Sequence, residues 1–185
     1  EALSKALFGD LGVPMDQGFN PDISPWGYRD IKGRKRDISR AKELLAEAGY
    51  PNGLDVDFRI TPSWGRNDLR AQIVQQMARP AGFRITITSQ IGLQYAQNFR
   101  TYAYQMMMQN LGLEDPMNFY YIYLHTDSAE PYNGRSPRLG ILDEEMDGLL
   151  DAVAEETDLR KRQEAFKKVV LRTNEKAYLI TNNQT

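Results

Sequence analysis

Residues 37 to 53 read Asp-Ile-Ser-Arg-Ala-Lys-Glu-Leu-Leu-Ala-Glu-Ala-Gly-Tyr-Pro-Asn-Gly. Asp37 belongs to the residue types that cap helix N-termini, and Gly49 stands where a helix commonly ends in the left-handed conformation. Between them, apolar residues recur at the i, i+3, i+4, i+7 spacing of one helix face, at Ala41, Leu44, Leu45 and Ala48. Pro51 lies just beyond the predicted helix end, and Asn52-Gly53 is a turn signal. The stretch therefore predicts a capped amphipathic helix that turns into the next element.

Two segments after this helix alternate apolar and polar residues, as half-buried strands do: residues 54–60 and residues 83–88. Between them, residues 67–79 predict a helix that Pro80 prevents from continuing, with an inward face of Leu69, Ile73, Val74 and Met77. A helical crossover predicts that the two strands are parallel and joined in the right-handed sense. Residues 104–108 form an apolar run that predicts a third strand, covered on both faces.

Four more helices are predicted along the chain. A short one covers residues 93–100 and an aromatic one covers residues 118–124. The first of two closing helices is expected to bury Met146, Leu149, Leu150 and Val153. The second begins near the cap Asp158 and is expected to bury Leu159, Phe166, Val169 and Val170. The order of strands and helices predicts an α/β layer.

Residues 13–36 contain three prolines and three glycines, which predicts an irregular surface segment within the domain. Its aromatic residues Phe19, Trp26 and Tyr28 are expected to pin it to the surface that it crosses.

Composition sets the broad class of the protein. A chain of 185 residues with 41% hydrophobic and 26% charged residues is typical of one soluble globular domain. The net charge of -2 gives no indication of nucleic-acid binding or of an anionic membrane partner. The absence of cysteine excludes thiol catalysis, disulfides and thiolate metal sites.

The residues that enzymes need are not assembled in any motif. His125 is the only histidine and no serine lies in a G-x-S-x-G elbow, so we expect a surface or capping role for His125. The acidic run at residues 143–147 is placed to favour a helix N-terminus rather than a metal, and the basic run at residues 32–36 predicts a solvated loop. No catalytic residue, metal site or cofactor is predicted.

The stretch at residues 37–53 resembles the family 5 extracellular solute-binding proteins, the receptors of dipeptide, oligopeptide and related ABC importers. Their second lobe carries the pattern Asp-Pro-x-Lys-Ala-Lys-x-Leu-Leu-x-Glu-Ala-Gly-Tyr-Pro-x-Gly. This chain departs from it at Ile38 and Arg40. Three further stretches fit the family in the same order, at residues 72–88, 115–116 and 142–178.

The resemblance implies one lobe of a type II periplasmic-binding-protein fold, with a mixed, mostly parallel sheet flanked by helices. Residues 1–185 would form a single lobe, a fragment of a larger two-lobed receptor that closes over its ligand by a hinge movement. It implies a periplasmic or extracytoplasmic protein, monomeric and peripheral to the membrane. Its implied partners are a small-molecule or peptide-like ligand and the permease subunits of an ABC importer.

Two segments of this lobe face the ligand in the family. The first follows the first strand and here offers Ser63, Trp64 and Arg66. Trp64 would supply a flat apolar wall, and the guanidinium of Arg66 suits a carboxylate or phosphate. The alternative is that Trp64 covers the strand end and Arg66 extends into solvent.

The second segment follows the third strand and offers Gln109, Asn110, Leu111, Gly112 and Glu114. Peptide-binding members of the family carry Trp seven residues and Asp four residues before the proline that is Pro116 here, and that Asp pairs with the α-ammonium of the peptide. This chain has Gln109 and Gly112 at those places. An ammonium buried without its carboxylate is costly, so the sequence argues for a sugar-like, opine-like or otherwise modified small molecule.

Two other functions remain open from the sequence. One is an enzyme domain of flavodoxin-like or transferase α/β type, since the fold does not determine the function. The other is a free-standing interaction module, which would bind its partner fully without a second lobe.

Overall fold

A computed structural model of the chain describes residues 13–14, 17, 19, 21–22, 24–62, 66–101, 103–108, 116–127, 129–130, 134–135, 141–179 and 183–184. The strands are β1 (Val13–Pro14), β2 (Leu54–Ile60), β3 (Phe83–Ser89), β4 (Met106–Met107), β5 (Ala129–Glu130), β6 (Gly134–Arg135) and β7 (Asn183–Gln184). The helices are α1 (Ile38–Glu47), α2 (Asn67–Ala78), α3 (Gly92–Arg100), α4 (Pro116–Leu124), α5 (Glu144–Glu155) and α6 (Leu159–Lys176), and one 3-10 turn covers Arg79–Ala81.

The described residues divide into two compact units. We call residues 35–108 the sheet unit. Residues 13–34 together with the described residues from 116 onward form the helical unit. Within the described part of the chain, no helix has both the length and the apolar character needed to cross a bilayer.

The predicted helix between the cap Asp37 and the stop Gly49 is confirmed at both ends. The Asp37 carboxylate accepts the N–H of Arg40 at 2.9 Å, and Gly49 lies in the left-handed region at φ 88°. Gly53 also has a positive φ of 91°, and a Cβ there would lie 2.3 Å from the carbonyl oxygen of Gly82. The chain can therefore turn closely beside the start of β3 only because residue 53 has no side chain.

The central sheet has the order β3-β2-β4 with all three strands parallel, which confirms the predicted crossover. The register pairs Leu54 with Phe83 and continues to Ile60 with Ser89. The third strand is shorter than predicted, covering Met106–Met107 only. Just before β4, a side chain takes the place of a backbone acceptor from the neighbouring strand. Gln105 Oε1 accepts the N–H of Asp57 in β2 at 2.6 Å. The two-stranded pairs β1-β7 and β5-β6 are antiparallel.

The core of the sheet unit is small and lies between the sheet and α2, and it consists of Phe58, Ile60, Ala71, Ile85 and Met108. Ala71 is the fully buried apolar residue of α2, so a small side chain lets the helix lie close to the strands. The predicted burial of Met77 is wrong, since this side chain is 37% exposed. Pro80 falls within the 3-10 turn that ends α2, as its missing N–H requires.

The core of the helical unit is built around Phe166 of α6. The centroid of its ring lies 5.1 Å from the ring centroid of Tyr120 and 5.5 Å from that of Trp26, both in edge-to-face geometry. The ring centroid of Phe19 lies 6.1 Å away. The predicted inward residues are confirmed as buried at Met146, Leu150, Val153, Phe166, Val169 and Val170, and Leu149 is half-buried. The predicted burial of Leu159 is wrong, because this first helical residue precedes the apolar stripe and is 60% exposed.

Candidate functional site

Arg66 is the predicted site residue that lies among the described residues. The other predicted ligand-facing residues lie outside them: Ser63, Trp64, Gln109, Asn110, Leu111, Gly112 and Glu114. The residues that flank both segments are described, so the structure defines where each segment leaves the fold.

Both predicted ligand segments leave the same edge of the sheet. The first departs after Ile60, at the end of β2, and the second departs after Met108, just beyond β4. These strands are parallel neighbours, so their carboxyl ends lie side by side. In open α/β sheets, ligands bind outside the carboxyl ends of the strands. The fold therefore brings the starting points of the two segments together.

Asn67 holds the far end of the first segment. This residue is the first of α2 and is buried, and its Nδ2 donates to the carbonyl of Thr61 at 3.0 Å. The bond ties the start of the helix to the end of β2, across the five intervening residues 62–66. The one sequence signal for Asn67 is its place at a predicted helix start, which gives no indication of this bond.

Arg66 has an unusual backbone conformation. It lies in the left-handed region at φ 57° and ψ 39°, immediately before α2, and its side chain is exposed. A residue with a Cβ loses roughly 1 kcal/mol in this conformation. Arg66 thus stands immediately before α2, in the part of the chain that follows the carboxyl end of β2, and the planar donors of a guanidinium suit an anionic group.

Met108 holds the start of the second segment. Its N–H donates to the carbonyl of Arg59 at 3.0 Å, and its side chain is buried in the core of the sheet unit. Its carbonyl accepts a hydrogen bond from the hydroxyl of Tyr95 in α3. Tyr95 was not predicted to contribute, because a tyrosine in a short amphipathic helix carries no sequence signal of such a contact.

The charges on the sheet face neutralise one another. Asp57 accepts hydrogen bonds from Arg59 Nε and from Thr88 Oγ1, both at 2.7 Å. Burial raises the pKa of Asp57, but these two hydrogen bonds outweigh it and hold the pKa below its usual range. The Asp57 carboxylate therefore stays ionised and satisfied within the strand layer.

His125 is buried, so the predicted surface role is wrong. It is 5% exposed, and its ring stacks on Tyr121 with centroids 4.3 Å apart. Its Nδ1 accepts the N–H of Asp127 at 2.9 Å just past α4, which is a helix-end contact. Its Nε2 lies 3.3 Å from a carboxylate oxygen of Asp151.

The acidic run at residues 143–147 begins with a buried helix cap. The Asp143 carboxylate accepts the N–H of Met146 at 3.1 Å, two bonds from Arg172 at 2.8 and 2.6 Å, and the hydroxyl of Tyr178 at 2.6 Å. The hydrogen bonds from Arg172 hold the pKa of Asp143 well below its usual range, and those from Tyr178 and Met146 add to the effect. The predicted role at a helix N-terminus is confirmed for Asp143. The described residues include no group of three or more acidic or histidine side chains arranged to hold a metal.

The basic run at residues 32–36 is more than a solvated loop. Arg34 donates to the carbonyl of Glu175 at the end of α6. Arg36 donates to the carbonyl of Met77 at the end of α2, at 2.8 Å. Each guanidinium thus satisfies a carbonyl where a helix leaves its last acceptors unpaired.

Known proteins share this chain's sequence and fold. The family model of the bacterial extracellular solute-binding proteins, family 5 Middle, matches residues 1–131. Heme-binding protein A of Haemophilus influenzae is 41% identical over 63 residues, which cover 34% of this chain and 11% of that protein.

Two solved structures are similar to the chain over nearly its whole length. One is the binding protein AgaA from A. tumefaciens R10 in complex with agropinic acid, with a TM-score of 0.78 and 24% identity over 98% of this chain and 37% of AgaA. The other is the periplasmic binding protein DppA from Helicobacter pylori in complex with the peptide STSA, with a TM-score of 0.80 and 23% identity over 97% of this chain and 35% of DppA.

The chain thus spans little more than a third of the length of these structures. The likeness confirms the predicted α/β fold with a parallel sheet flanked by helices, that of type II periplasmic binding proteins. The family match extends over well more than half of the chain. On this evidence, the chain belongs to the family 5 bacterial extracellular solute-binding proteins.

Proposed function

We propose that the protein carrying this chain is the solute-binding component of an ABC importer. The chain supplies one of two lobes that close over the ligand, and the loaded receptor delivers its cargo to the permease subunits from outside the cytoplasmic membrane. The receptor acts as a monomer, without catalysis. The observation that carries this proposal is the departure of both predicted ligand segments from one carboxyl edge of the sheet, in a chain of this family.

The ligand wall consists of Ser63, Trp64 and Arg66 from the first segment and residues 109–112 with Glu114 from the second. Arg66 contributes a guanidinium for a carboxylate or phosphate of the ligand. Its exposed side chain and its strained backbone beside the sheet edge support this assignment, because strain of this kind is concentrated at functional sites.

The cargo is a small polar solute of sugar-like or opine-like chemistry rather than a peptide with a free amino terminus. Gln109 and Gly112 supply no carboxylate for an α-ammonium. The complex of AgaA with agropinic acid supports such a ligand, since it places a non-peptide solute on the same fold. The complex of DppA with the peptide STSA represents the alternative cargo, a peptide. The experiment must distinguish a polar non-peptide solute from a peptide.

Calorimetric titration of the intact protein tests this function. The probes are agropinic acid, the peptide STSA and hemin, chosen after the three related proteins. We expect the acid or a related polar solute to bind and the peptide not to bind. Submicromolar binding of the peptide would contradict the proposed cargo, and full binding of any partner by the lobe alone would favour the interaction module.

Three variants, one of them a control, make the titration specific for the proposed wall. Arg66→Gly removes the guanidinium and relieves the left-handed strain of the backbone, and thermal unfolding of the variant separates a loss of binding from a loss of stability. Arg79→Ala removes an exposed arginine at the end of α2 and is the matched control. Gly112→Asp restores the carboxylate of the peptide-binding members, and we expect it to increase the affinity for the peptide.

A further inference from the structure

The turn between α1 and β2 contains a chemically reactive pair, Asn52-Gly53. Asparagine followed by glycine is prone to deamidation, because glycine has no side chain to hinder its own backbone nitrogen. That nitrogen loses its proton to solvent base and attacks Cγ of the asparagine side chain. A C–N bond forms, the bond from Cγ to the side-chain nitrogen breaks, and ammonia leaves. The cyclic succinimide then takes up one water and opens to aspartate or isoaspartate.

The backbone of this turn keeps the two reacting atoms apart. The N–H of Gly53 donates to the carbonyl of Tyr50 at 3.0 Å, which closes a β-turn with Pro51 in its second position. Among the described non-glycine residues, positive φ is confined to two residues elsewhere in the chain, so φ of Asn52 is negative and the turn is of type I. At the type I ψ of about 0°, the Gly53 nitrogen and the Asn52 Cβ are about 120° apart around the Cα–C bond, whereas ring closure requires them to be eclipsed.

The peptide group between Asn52 and Gly53 is held at both of its polar atoms. Its N–H is bound by Tyr50, and its oxygen, the carbonyl oxygen of Asn52, accepts from Arg84 Nη1 at 2.8 Å. Arg84 is itself fixed by Asp55, whose two carboxylate oxygens accept from Nε and Nη2 at 2.7 and 2.8 Å. Ring closure has to rotate this peptide group around the Cα–C bond of Asn52. Because the rotation breaks both hydrogen bonds, the turn must open before Asn52 reacts.

We propose that Asn52 is a deamidation site that the folded turn keeps unreactive, with Arg84 as the clamp on its peptide group. Asn52 is exposed, so water and base reach it, and the obstacle to the reaction is the fixed backbone rather than burial. The ion pair between Arg84 and Asp55 is also exposed, and exposed pairs add little to global stability. The clamp therefore acts locally and can be removed without unfolding the sheet.

The isoaspartate product does not fit the closed turn. It adds one main-chain carbon between residues 52 and 53. Gly53 has no room to shift toward its neighbour, because an atom in its Cβ position would lie 2.3 Å from the carbonyl oxygen of Gly82. The same oxygen accepts the N–H of Leu54 at 3.0 Å, at the start of β2. The reaction thus converts a reversible opening of the turn into a permanent one.

Peptide mapping of the intact protein measures the reaction. Trypsin releases residues 43–59, in which Asn52 is the only side-chain amide, and chromatography with mass spectrometry separates asparagine, aspartate and isoaspartate. The synthetic peptide of the same residues gives the rate without a fold. At mildly alkaline pH, we expect Asn52 in the wild type to react at least about tenfold more slowly than in the peptide, because only the open turn reacts. A wild type that reacts as fast as the peptide would overturn the proposal.

Three variants test the clamp. In Arg84→Ala, we expect Asn52 of the folded protein to react at least about fivefold faster than in the wild type. Asp55→Ala leaves Arg84 without its anchor and should give a smaller increase, which keeps the test decisive if Arg84→Ala does not fold. Arg40→Ala is the matched control, since it removes an exposed arginine of the same unit that also binds two carboxylates. If Asn52 reacts equally fast in Arg84→Ala, Arg40→Ala and the wild type, Arg84 is not the clamp.

Hydrogen exchange separates a local clamp from a general loss of stability. In Arg84→Ala, the amide of Gly53 should exchange faster by a factor similar to that of the reaction, and the amides of β3 should exchange as in the wild type. Faster exchange throughout both strands would overturn the assignment of a local clamp. Protein that has reacted in urea and been refolded tests the product. Its isoaspartate form should melt at a lower temperature than Asn52→Asp, and equal melting would contradict the permanent opening.

Discussion

The sheet unit and the helical unit are stabilised in different ways. In the helical unit, three helices bury aromatic and aliphatic side chains almost completely, and a buried carboxylate binds Arg172 and Tyr178. In the sheet unit, the described core is smaller, and a hydrogen bond between Gln90 and Asn98 joins α3 to the end of β3. Both predicted ligand segments depart from the sheet unit. Elements that bind ligands commonly come from the less stable part of a fold, and the difference fits that rule.

The largest effect on stability is expected from truncating one large side chain in each of the two cores in turn. Phe166→Ala should lower the free energy of unfolding by about 4–5 kcal/mol, because the ring is fully buried among four other aromatic rings. Phe58→Ala, also almost fully buried, should cost about 3 kcal/mol. Urea unfolding of both variants measures the difference. A larger loss for Phe58→Ala would reverse the comparison.

The next effect concerns the buried charge of the helical unit. Asp143→Ala removes a helix cap and leaves the guanidinium of Arg172 without its bidentate partner, so we expect a loss of about 3 kcal/mol. Asp158→Ala removes an exposed cap that accepts the N–H of Lys161, and it should cost about 1 kcal/mol. Equal losses in thermal unfolding would show that the buried network adds nothing to simple capping.

Replacing either of two glycines in the sheet unit should have a smaller effect on stability. Gly53→Ala places a Cβ against the backbone of Gly82 as well as in a left-handed residue, and it should cost about 2–3 kcal/mol. Gly49→Ala has nearly the same φ with no atom within 4 Å of the new Cβ, so it should cost only about 1 kcal/mol. If denaturant midpoints shift equally, the close approach of the two backbones is not what requires glycine at position 53.

The smallest effect is a dependence on alkaline pH. Burial, the hydrogen bond to Asp143 and the negative charge of the Asp143 carboxylate raise the pKa of Tyr178 to about 12, against about 10 in an unfolded chain. The contribution of this hydroxyl is therefore complete below about pH 10 and is lost as the pH rises toward 12. Tyr178→Phe should be less stable than the wild type by about 1.5 kcal/mol at neutral pH.

Melting temperatures between pH 8 and pH 11.5 measure the Tyr178 effect. We expect the gap between wild type and Tyr178→Phe to narrow in the upper part of this range. Tyr50→Phe, in the sheet unit, is the control that should follow the wild type throughout. A constant gap would mean that Tyr178 does not ionise differently in the folded protein.

Local patterns were sufficient to predict most elements of the fold. The Asp37 cap, the Gly49 stop and the alternation of residues 54–60 depend on neighbours in sequence, and the structure has each of them. The parallel direction of β2 and β3 followed from the helix between them. These features are determined by chain chemistry within a few residues.

The errors come from contacts between residues far apart in the sequence. Met77 has the helical spacing of a buried residue, but the close approach of α2 to the strands is made at Ala71. His125 was expected at the surface or as a cap, and the surface alternative is wrong because the ring is buried against Tyr121 and Asp151. The periodicity of apolar residues does not determine how closely a helix packs on the sheet. It also does not determine which residue a polar side chain contacts.

The site was predicted more coarsely than the fold. The family resemblance assigned Arg66 and the segment from Gln109, and their identity as ligand contacts stays a prediction. The left-handed backbone of Arg66 was not predictable, because arginine has no preference for that conformation. The bond from Tyr95 to Met108 joins two residues whose relation depends on the path of α3.

The conformation of Arg66 sets stability against function at a single position. Glycine would adopt the same φ and ψ with less strain, so the backbone conformation by itself favours a residue without a side chain there. A selection for thermal stability would therefore drive position 66 toward glycine and remove the guanidinium. A selection for ligand capture would retain arginine in spite of the strain. Parallel evolution experiments under the two selections would consequently diverge at this residue.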